Sequence, residues 1–487
     1  MSLAVEPSRL LVDGEWVEPD GGHYDVVNPA TEQVIGQAPE ASEQQALDAA
    51  ASARQAFKSW SRTTAEERAA ILHRVVDLLV KRGDEIVPLL QAETGATMRV
   101  ASTMQVPVAV DRFTRYAREA LLPNTIGLPP QVMPDTALAP GGLIGAVAIR
   151  QPVGVVACIT PYNFPLVNLA GKIAPALAMG NTVVVKPAPQ DPLHIFKFGE
   201  LLLEAGIPPG VVNIVGGSGA AAGAALTRSP DVDMVSFTGS TPVGRMIGEA
   251  CGSTMKRQLL ELGGKGAAVI FEDADVDAAV SGVVSTWTFH SGQICTAPTR
   301  VVVHRSRKDE VVSKLAAAAR ALKVGDPLAA DTVVGPVITG VQRDRVEALV
   351  SEGTAAGAEL AAGGSRPDHT GFYVQPTLLT EVKPDNPAAQ NEFFGPVLVV
   401  LEFDDEDEAI EIANGTPFGL YDYVYAGSPS RAYAVARQLR SGMVGVNTTQ
   451  RNPEAPFGGF KLSGVGRDGG TFGLHAYSEM QSIVWPS

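Results

Sequence analysis

The sequence has 487 residues, of which 45% are hydrophobic and 19% charged, and its formal net charge is -15. This length exceeds what one hydrophobic core supports, so we expect a soluble globular protein of two or three domains. The acidic surplus excludes a nucleic-acid partner. Because Arg150 interrupts the longest apolar candidate, no stretch is long and charge-free enough to span a bilayer, and we expect no membrane partner.

The cysteines and the N-terminus indicate a cytoplasmic protein. An odd, sparse set of three cysteines does not make a disulfide framework, which favours a reducing compartment. Residues 1–10 lack the basic region and apolar core of a signal peptide. Asp273, Asp275 and Asp277 alternate as in a calcium loop, but the later glycine and closing glutamate are missing. Helix capping is favoured, and no metal site is predicted.

The first part of the chain predicts small strands followed by two helices. Residues 10–40 alternate short apolar runs with turns, which is typical of short strands. Ser42 with Gln45, and Thr64 with Glu67, have the spacing of capping boxes at helix N-termini.

The second helix is expected to end at Gly83. Residues 121–142 are rich in proline and glycine. This composition predicts a linker, or an arm that leaves the domain, and no element of a packed core.

A regular alternation of strands and helices follows. Unbroken β-rich runs occupy 153–160, 182–186, 211–215 and 234–238, and helical patterns occupy 166–179, 193–205, 220–228 and 242–251. Such alternation predicts a parallel sheet covered on both faces, with ligands bound beyond the carboxyl ends of the strands. A second alternation begins with a strand at 267–270 and a helix at 276–289, and continues to about residue 446. The predicted fold class is therefore α/β with two parallel-sheet domains.

Two residues in the second half of the chain have the character of reactive groups. Cys295 follows a helical apolar run and lies among small and polar neighbours, and a thiolate is a strong nucleophile towards carbonyls. Glu261 precedes Gly263 and Gly264 in a turn and suggests a separate base. Each also has an ordinary interpretation, because a lone cysteine is more often a small core residue and a glutamate before glycines is usually a loop residue.

Two glycine patterns are candidates for a dinucleotide site. The pattern beginning at Gly217 matches the G-x-G-x-x-G/A form, but no acidic residue follows at the expected spacing. The turn 237–244 also joins a strand to a helix, whose free N–H groups suit a diphosphate, although an ordinary capped turn explains it equally well. Lys186 ends a strand and suits ribose hydroxyls, or is simply a solvated strand end. Asn163 suits an oxyanion, or is simply a turn residue.

Seven motifs taken together change this balance. In order they are Pro161-Tyr162-Asn163-Phe164-Pro165, Lys186-Pro187-Ala188, Phe237-Thr238-Gly239-Ser240-Thr241, Glu261-Leu262-Gly263-Gly264-Lys265, Gly292-Gln293-x-Cys295, Asn391-Glu392-Phe393-Phe394-Gly395-Pro396 and Pro456-Phe457-Gly458-Gly459. Their order resembles that of the aldehyde dehydrogenase superfamily over nearly the whole chain. Within this superfamily, the sequence resembles benzaldehyde dehydrogenases.

The resemblance implies a role for each matched residue. Cys295 would be the nucleophile, Glu261 the general base, and Asn163 the oxyanion donor beside the Cys295 backbone N–H. It implies NAD as cofactor, with NADP as an alternative. The implied cofactor residues are Thr160, Pro161, Tyr162, Lys186, Ala188, Pro189, Gly219, Gly223, Phe237, Thr238, Gly239, Ser240, Val243, Gly244, Leu262, Glu392 and Phe394. The implied substrate pocket consists of Asn168, Gly171, Ile294, Thr296 and Phe457.

The family fold implies a division into three parts. Residues 1–125 and 146–258 would form the Rossmann-like dinucleotide-binding domain, 259–460 the catalytic domain, and 126–145 with 470–487 a β bridging arm. Such an arm implies a homodimer or a homotetramer.

The chain departs from the family pattern at Tyr162, Asn391 and Pro189. Tyr162 replaces a tryptophan, and Asn391 replaces an acidic residue before Glu392. Pro189 stands where many relatives that prefer NAD have a glutamate, so this sequence lacks a carboxylate that would repel the 2′-phosphate of NADP.

The expected reaction is oxidation of an aldehyde to a carboxylic acid, through a thiohemiacetal and then a thioester on Cys295. Gly171 is expected to leave space that favours aromatic aldehydes, and no arginine marks a site for a substrate carboxylate. Semialdehydes and aliphatic aldehydes are alternative substrates. A binding protein with a degenerate site on the same scaffold is the alternative function.

Overall fold

The computed structural model describes residues 7–486. Residues 1–6 of the stretch 1–10, for which no signal peptide is predicted, lie outside the described residues. The first sheet has eight strands. In spatial order they are Gly464–Val465, Arg257–Glu261, Met234–Thr238, Val155–Ile159, Thr182–Lys186, Val212–Ile214, Leu10–Val12 and Glu15–Val17. The central strands, from Arg257–Glu261 to Val212–Ile214, are parallel, and the strands at both edges are antiparallel.

Alternate residues of the central strands enter different cores, which explains their unbroken apolar sequences. Val156 and Cys158 pack with the long helices on one face, whereas Val155 and Ala157 pack with the alanine-rich helices on the other. The predicted parallel sheet with two covered faces is confirmed.

The second sheet has seven strands, all parallel except the first. In spatial order they are Glu359–Ala362, Thr377–Thr380, Val397–Phe403, Arg300–His304, Ala267–Ile270, Tyr421–Tyr425 and Met443–Val446. It too separates two cores, with Val302 on one face and Val301 on the other. The α/β fold class is confirmed.

Helices cover both sheets. Those of the first half are Glu43–Trp60, Ala65–Thr94, Met98–Val100, Val106–Glu119, Pro165–Met179, Leu193–Glu204, Ala221–Arg228 and Thr241–Thr254, and a π-helical turn occupies Ala101–Gln105. Those of the second half are Val276–Trp287, Lys308–Ala321, Gly340–Ala355, Pro387–Gln390, Glu406–Asn414, Pro429–Ala436 and Gly470–Ala476. None of the helices within residues 7–486 has the length and apolarity needed to cross a membrane.

Both predicted capping boxes are present, at Ser42 and at Thr64. Asp275 caps a helix, as the alternating aspartates suggested. The expected end of the second helix at Gly83 is wrong, since this helix continues to Thr94 and ends at Gly95 in the left-handed conformation. A Cβ at Gly83 would lie 3.2 Å from Val106, so this glycine lets two helices pack closely instead of ending one.

The segment 121–142, which is rich in proline and glycine, contains a β-strand, Thr125–Met133. Thr125–Met133, Gly142–Pro152 and Ser478–Pro486 form an antiparallel three-stranded sheet, with a hairpin of His23–Val27 and Val34–Pro39 elsewhere in the chain. The middle strand continues past the predicted boundary at 145. Residues 470–476, assigned to the arm, instead form a helix that leads to Tyr477 in the first core.

Candidate active site

The carboxyl ends of the first sheet's strands meet at one edge. Ile159 pairs with Lys186 and with Phe237, and Thr238 pairs with Glu261, so the segments that follow these strands emerge side by side. They line a cavity of about 1810 Å³, whose opposite wall comes from the Cys295 loop and from residues 442–457. Ligands of parallel sheets bind at such an edge.

Cys295 lies in a tightly fixed loop. Ser291 Oγ donates to the Gly335 carbonyl at 2.8 Å, and the Ile338 N–H donates to the Gln293 side-chain oxygen at 3.0 Å. Gly292 has φ +73°, and a Cβ there would lie 2.3 Å from the carbonyl oxygen of Gly395. Only glycine fits both this conformation and this contact. The loop therefore presents the partly exposed Cys295 thiol to the cavity from a rigid base.

The Glu261 turn lies directly against the Cys295 loop. A Cβ at Gly264 would lie 2.3 Å from the carbonyl oxygen of Cys295. The Gly264 N–H donates to Glu392 Oε1 at 2.9 Å, and a Cβ at Gly263 would lie 2.3 Å from Glu392 Oε2. The two glycines thus allow three separate motifs to meet with almost no space between them.

Burial disfavours the charged forms of Cys295 and Glu261. Burial raises the pKa of Cys295 to about 12, and the nearby charge of Arg451 opposes this shift. Burial, followed by the charge of Asp468, raises the pKa of Glu261 well above its usual range. Neither carboxyl oxygen of Glu261 has a hydrogen-bond partner among residues 7–486. Once it is ionised, a buried carboxylate with a raised pKa and no partner is a stronger base than an ordinary glutamate and is suited to accept a proton from water or substrate.

Asn163 connects the first sheet to the thiol loop. Its side-chain N–H₂ donates one hydrogen bond, of 2.8 Å, to the Gln293 carbonyl, and the side chain is 4% exposed. An amide nitrogen has two hydrogens, so the second remains for an oxygen bound in the cavity.

The other half of the cavity has the features of a dinucleotide site. Lys186 Nζ donates to the carbonyls of Pro187 and Gly217, both at 3.0 Å, and burial lowers its pKa to about 8. The helix Thr241–Thr254 begins at Ser240, whose side chain makes no capping hydrogen bond. The N–H groups of its first turn are therefore not occupied by a cap and suit a diphosphate.

The half of the cavity that suits a dinucleotide also contains an aromatic pair and a buried hydroxyl without a partner. Tyr162 and Phe394 meet edge to face, with ring centroids 5.8 Å apart. Thr160 Oγ1 is buried without a partner within the described chain. These residues, with Glu392 on the adjacent turn, fit a bound nicotinamide nucleotide.

The cavity contains nearly all of the predicted site residues. The predicted catalytic residues Cys295, Glu261 and Asn163 line it, as do the predicted cofactor residues other than Gly244. Gly244 lies behind the wall, where a Cβ would come within 2.5 Å of Leu262, so it admits that side chain and does not face the ligand.

A model of the aldehyde dehydrogenase family matches residues 16–483. The chain belongs to the aldehyde dehydrogenase family. It is 39% identical to a 3-succinoylsemialdehyde-pyridine dehydrogenase from Pseudomonas sp., over 98% of both chains. The NAD+ complex of an aldehyde dehydrogenase from Bacillus cereus is 37% identical, with a TM-score of 0.93 over 100% of this chain and 97% of that one. An NADP-dependent enzyme from E. coli is 35% identical, with a TM-score of 0.93 over 99% and 98%.

The protein is thus an NAD(P)-dependent oxidoreductase of aldehydes. On the substrate side of this aldehyde dehydrogenase, Asn168, Ile294, Thr296 and Phe457 line the cavity as predicted, but Gly171 does not. A Cβ at Gly171 would lie 1.7 Å from a guanidinium nitrogen of Arg112. The space expected beside Gly171 is therefore occupied by an arginine from another helix.

The sequence predicted no arginine that marks a site for a substrate carboxylate, but Arg112 and Arg451 are among the arginines that line the cavity. Arg112 comes from the helix Val106–Glu119, and Arg451 from the loop after the strand Met443–Val446. Arg451 follows the carboxyl end of a parallel strand, which is a signal that sequence reasoning had available. Arg112 had no such signal, because only packing brings its helix over Gly171.

A buried polar network beneath the base was also missed. Lys172 Nζ donates to Ser236 Oγ at 3.1 Å, and Ser236 bonds the Tyr477 hydroxyl at 2.9 Å. Burial lowers the pKa of Lys172, whereas the charge of Asp468 opposes this shift. These groups set the electrostatic environment of Glu261 from below.

Proposed function

We propose that this enzyme oxidises its aldehyde through covalent catalysis by Cys295, with Asn163 as oxyanion donor and Glu261 as base for hydrolysis. The close contact between the Glu261 turn and the Cys295 loop is the observation that carries this proposal. It brings a buried, unpaired carboxyl and a thiol together in one cavity.

In the first step Cys295, as thiolate, forms a bond to the aldehyde carbon, and the electron pair of the carbonyl π bond moves to the oxygen, which becomes an oxyanion. The free Asn163 N–H and the Cys295 backbone N–H stabilise that charge. Loss of one such donor typically costs about 2.7–4 kcal/mol in the barrier. Arg451 is the positive charge that favours the Cys295 thiolate.

NAD(P), when bound, supplies an acceptor for the hydride of the thiohemiacetal, and a thioester on Cys295 remains. Glu261 then removes a proton from water, which attacks the thioester carbon. The carbon–sulfur bond breaks, the acid leaves, and Cys295 is free again. Of the residues that line the cavity, Lys186 would hold the ribose, Gly239 and Ser240 the diphosphate, and Glu392 and Phe394 the nicotinamide end of the cofactor.

The proposed substrate is an aldehyde whose class the cavity constrains. The preference for aromatic aldehydes loses its basis in free space at Gly171, because Arg112 occupies that space. Semialdehydes agree better with a cavity lined by Arg112 and Arg451, and a semialdehyde appears in the name of the Pseudomonas relative.

We also propose a homodimer or homotetramer formed through the three-stranded arm. Large apolar side chains of this arm are exposed, including Val132, Met480, Val484 and Trp485. A cytoplasmic setting is proposed from the three free cysteines.

The test of this proposal is the Cys295→Ser variant, assayed for NADH or NADPH formation over a panel of aldehydes. We expect loss of more than about 95% of turnover, with cofactor binding by fluorescence titration close to that of the parent. Turnover near the parent's would contradict the assignment, because Cys158 and Cys251 are buried and outside the cavity.

A further inference from the structure

Arg451 is held beside the nucleophile. Its guanidinium donates to Thr296 Oγ1 at 3.3 Å, and Thr296 directly follows Cys295. The same guanidinium lies 5.5 Å from the ring centroid of Phe457 and 5.8 Å from that of Tyr421. Both rings line the cavity. The aromatic contacts thus direct an exposed arginine into the substrate path.

The neighbouring arginines have acidic partners, whereas Arg451 does not. Arg115 contacts Asp111 at 3.1 Å and Glu454 at 2.6 Å. Arg112 has Asp468 at 3.9 Å, a long contact. Within residues 7–486, no carboxylate lies within 4 Å of the Arg451 guanidinium.

An unpaired guanidinium in this place has a consequence for the substrate. The net charge of -15 repels anions from the protein as a whole, so a local positive charge at the cavity counteracts that repulsion. A guanidinium binds two oxygens of an oxoacid group, whether planar as in a carboxylate or tetrahedral as in a phosphate, through two parallel hydrogen bonds, and it does so best where water is displaced.

We propose that the aldehyde oxidised by this enzyme carries an anionic oxoacid group, a carboxylate or a sulfonate, which Arg451 binds. This inference rests on the proposed function, because it names the substrate of the same site. Arg112, in the helix Val106–Glu119, is a second arginine that lines the cavity. Its guanidinium donates to the Val167 carbonyl at 3.0 Å, which fixes its direction.

The experiment compares aldehydes that differ in charge, with the parent enzyme and the Arg451→Gln variant. The substrates are 4-oxobutanoate, its neutral methyl ester, pentanal and the sulfonate 3-oxopropanesulfonate. Arg440→Gln is the matched control, because Arg440 also stacks on an aromatic ring, Phe460 at 5.3 Å, but does not line the cavity. Binding of succinate is measured separately, by its effect on the melting temperature.

For the parent we expect kcat/KM at least tenfold higher with one of the two anions than with the methyl ester. Arg451→Gln should lower that ratio at least tenfold, mainly through a higher KM for the anion. Because the charge of Arg451 also favours the Cys295 thiolate, any further loss of kcat should be equal for charged and neutral aldehydes and should leave the ratio unaffected. Arg440→Gln should leave the ratio unchanged. The higher kcat/KM of the two anionic aldehydes identifies whether the site binds a carboxylate or a sulfonate. Succinate should raise the melting temperature of the parent but not that of Arg451→Gln.

Two results would overturn the inference while leaving the proposed function intact. One is a parent enzyme whose kcat/KM for the ester or for pentanal equals its kcat/KM for both anions. The other is an equal loss for charged and neutral aldehydes in Arg451→Gln, which would assign Arg451 to thiolate formation alone. No reduction of NAD or NADP with any aldehyde would instead contradict the proposed function.

Discussion

Replacing Gly264 with alanine tests the contact on which the proposed mechanism depends. The new Cβ would lie 2.3 Å from the carbonyl oxygen of Cys295, whereas ordinary contact begins near 3.4 Å. The Cys295 loop or the Glu261 turn must therefore retreat by about 1 Å. A misplacement of that size costs about a hundredfold in rate, and overpacking of this kind costs about 1–3 kcal/mol of stability.

The assay is kcat/KM for one good aldehyde, together with the melting temperature and the rate of Cys295 alkylation by iodoacetamide. We expect a loss of about a hundredfold in kcat/KM in a folded enzyme. Gly252→Ala is the control, because a Cβ at this helical position meets nothing within 4 Å and should slightly stabilise the protein. A folded Gly264→Ala enzyme with kcat/KM within threefold of the parent would refute the reasoning.

Two further predictions concern the base and the cofactor. Because the folded state raises the pKa of Glu261, its carboxylate form, and hence kcat, should increase with pH over a range well above the usual titration range of a glutamate, and Glu261→Gln should remove that limb of the profile. The same shift means that Glu261 stabilises the fold only while it is protonated, and that this contribution is lost as pH rises; Glu261→Gln should therefore melt at a higher temperature than the parent at pH 8, a difference that disappears towards pH 4. Pro189 provides no carboxylate, so we expect less than about a hundredfold discrimination between NAD and NADP, with NAD preferred, and Pro189→Glu should raise the KM for NADP. Steady-state kinetics with both cofactors measure this, and a thousandfold preference in the parent would direct attention to Glu40, whose charge acts on Lys186.

The parts of the fold that follow local rules could be predicted from the sequence. The strands Thr182–Lys186 and Met234–Thr238 agree with the predicted ranges residue for residue, because a strand buried on both faces has an unmistakably apolar sequence. The strand Thr125–Met133 could not be predicted. It is exposed on all its residues, and it includes Pro129 and Pro130, so neither alternation nor apolar content marks it.

The candidate site also has some residues that could be predicted from the sequence and others that could not. Cys295, Glu261 and Asn163 belong to recognisable motifs, and these motifs line one cavity. The error at Gly171 arose because a missing side chain was equated with empty space. Arg112 lies far from it in sequence, and only the packing of two helices brings its guanidinium there. Substrate specificity therefore depends on tertiary contacts that motifs do not encode.

In the proposed mechanism, Cys295 carries the acyl group and Glu261 activates the water that releases it. The most direct test of this mechanism is intact-protein and peptide mass spectrometry of the Glu261→Gln variant after mixing with NAD and an aldehyde that the parent oxidises. We expect a burst of NADH and a mass increase equal to one acyl group, located on the peptide that contains Cys295. A burst without an adduct, or an adduct on the peptide of Cys158 or Cys251, would contradict the account.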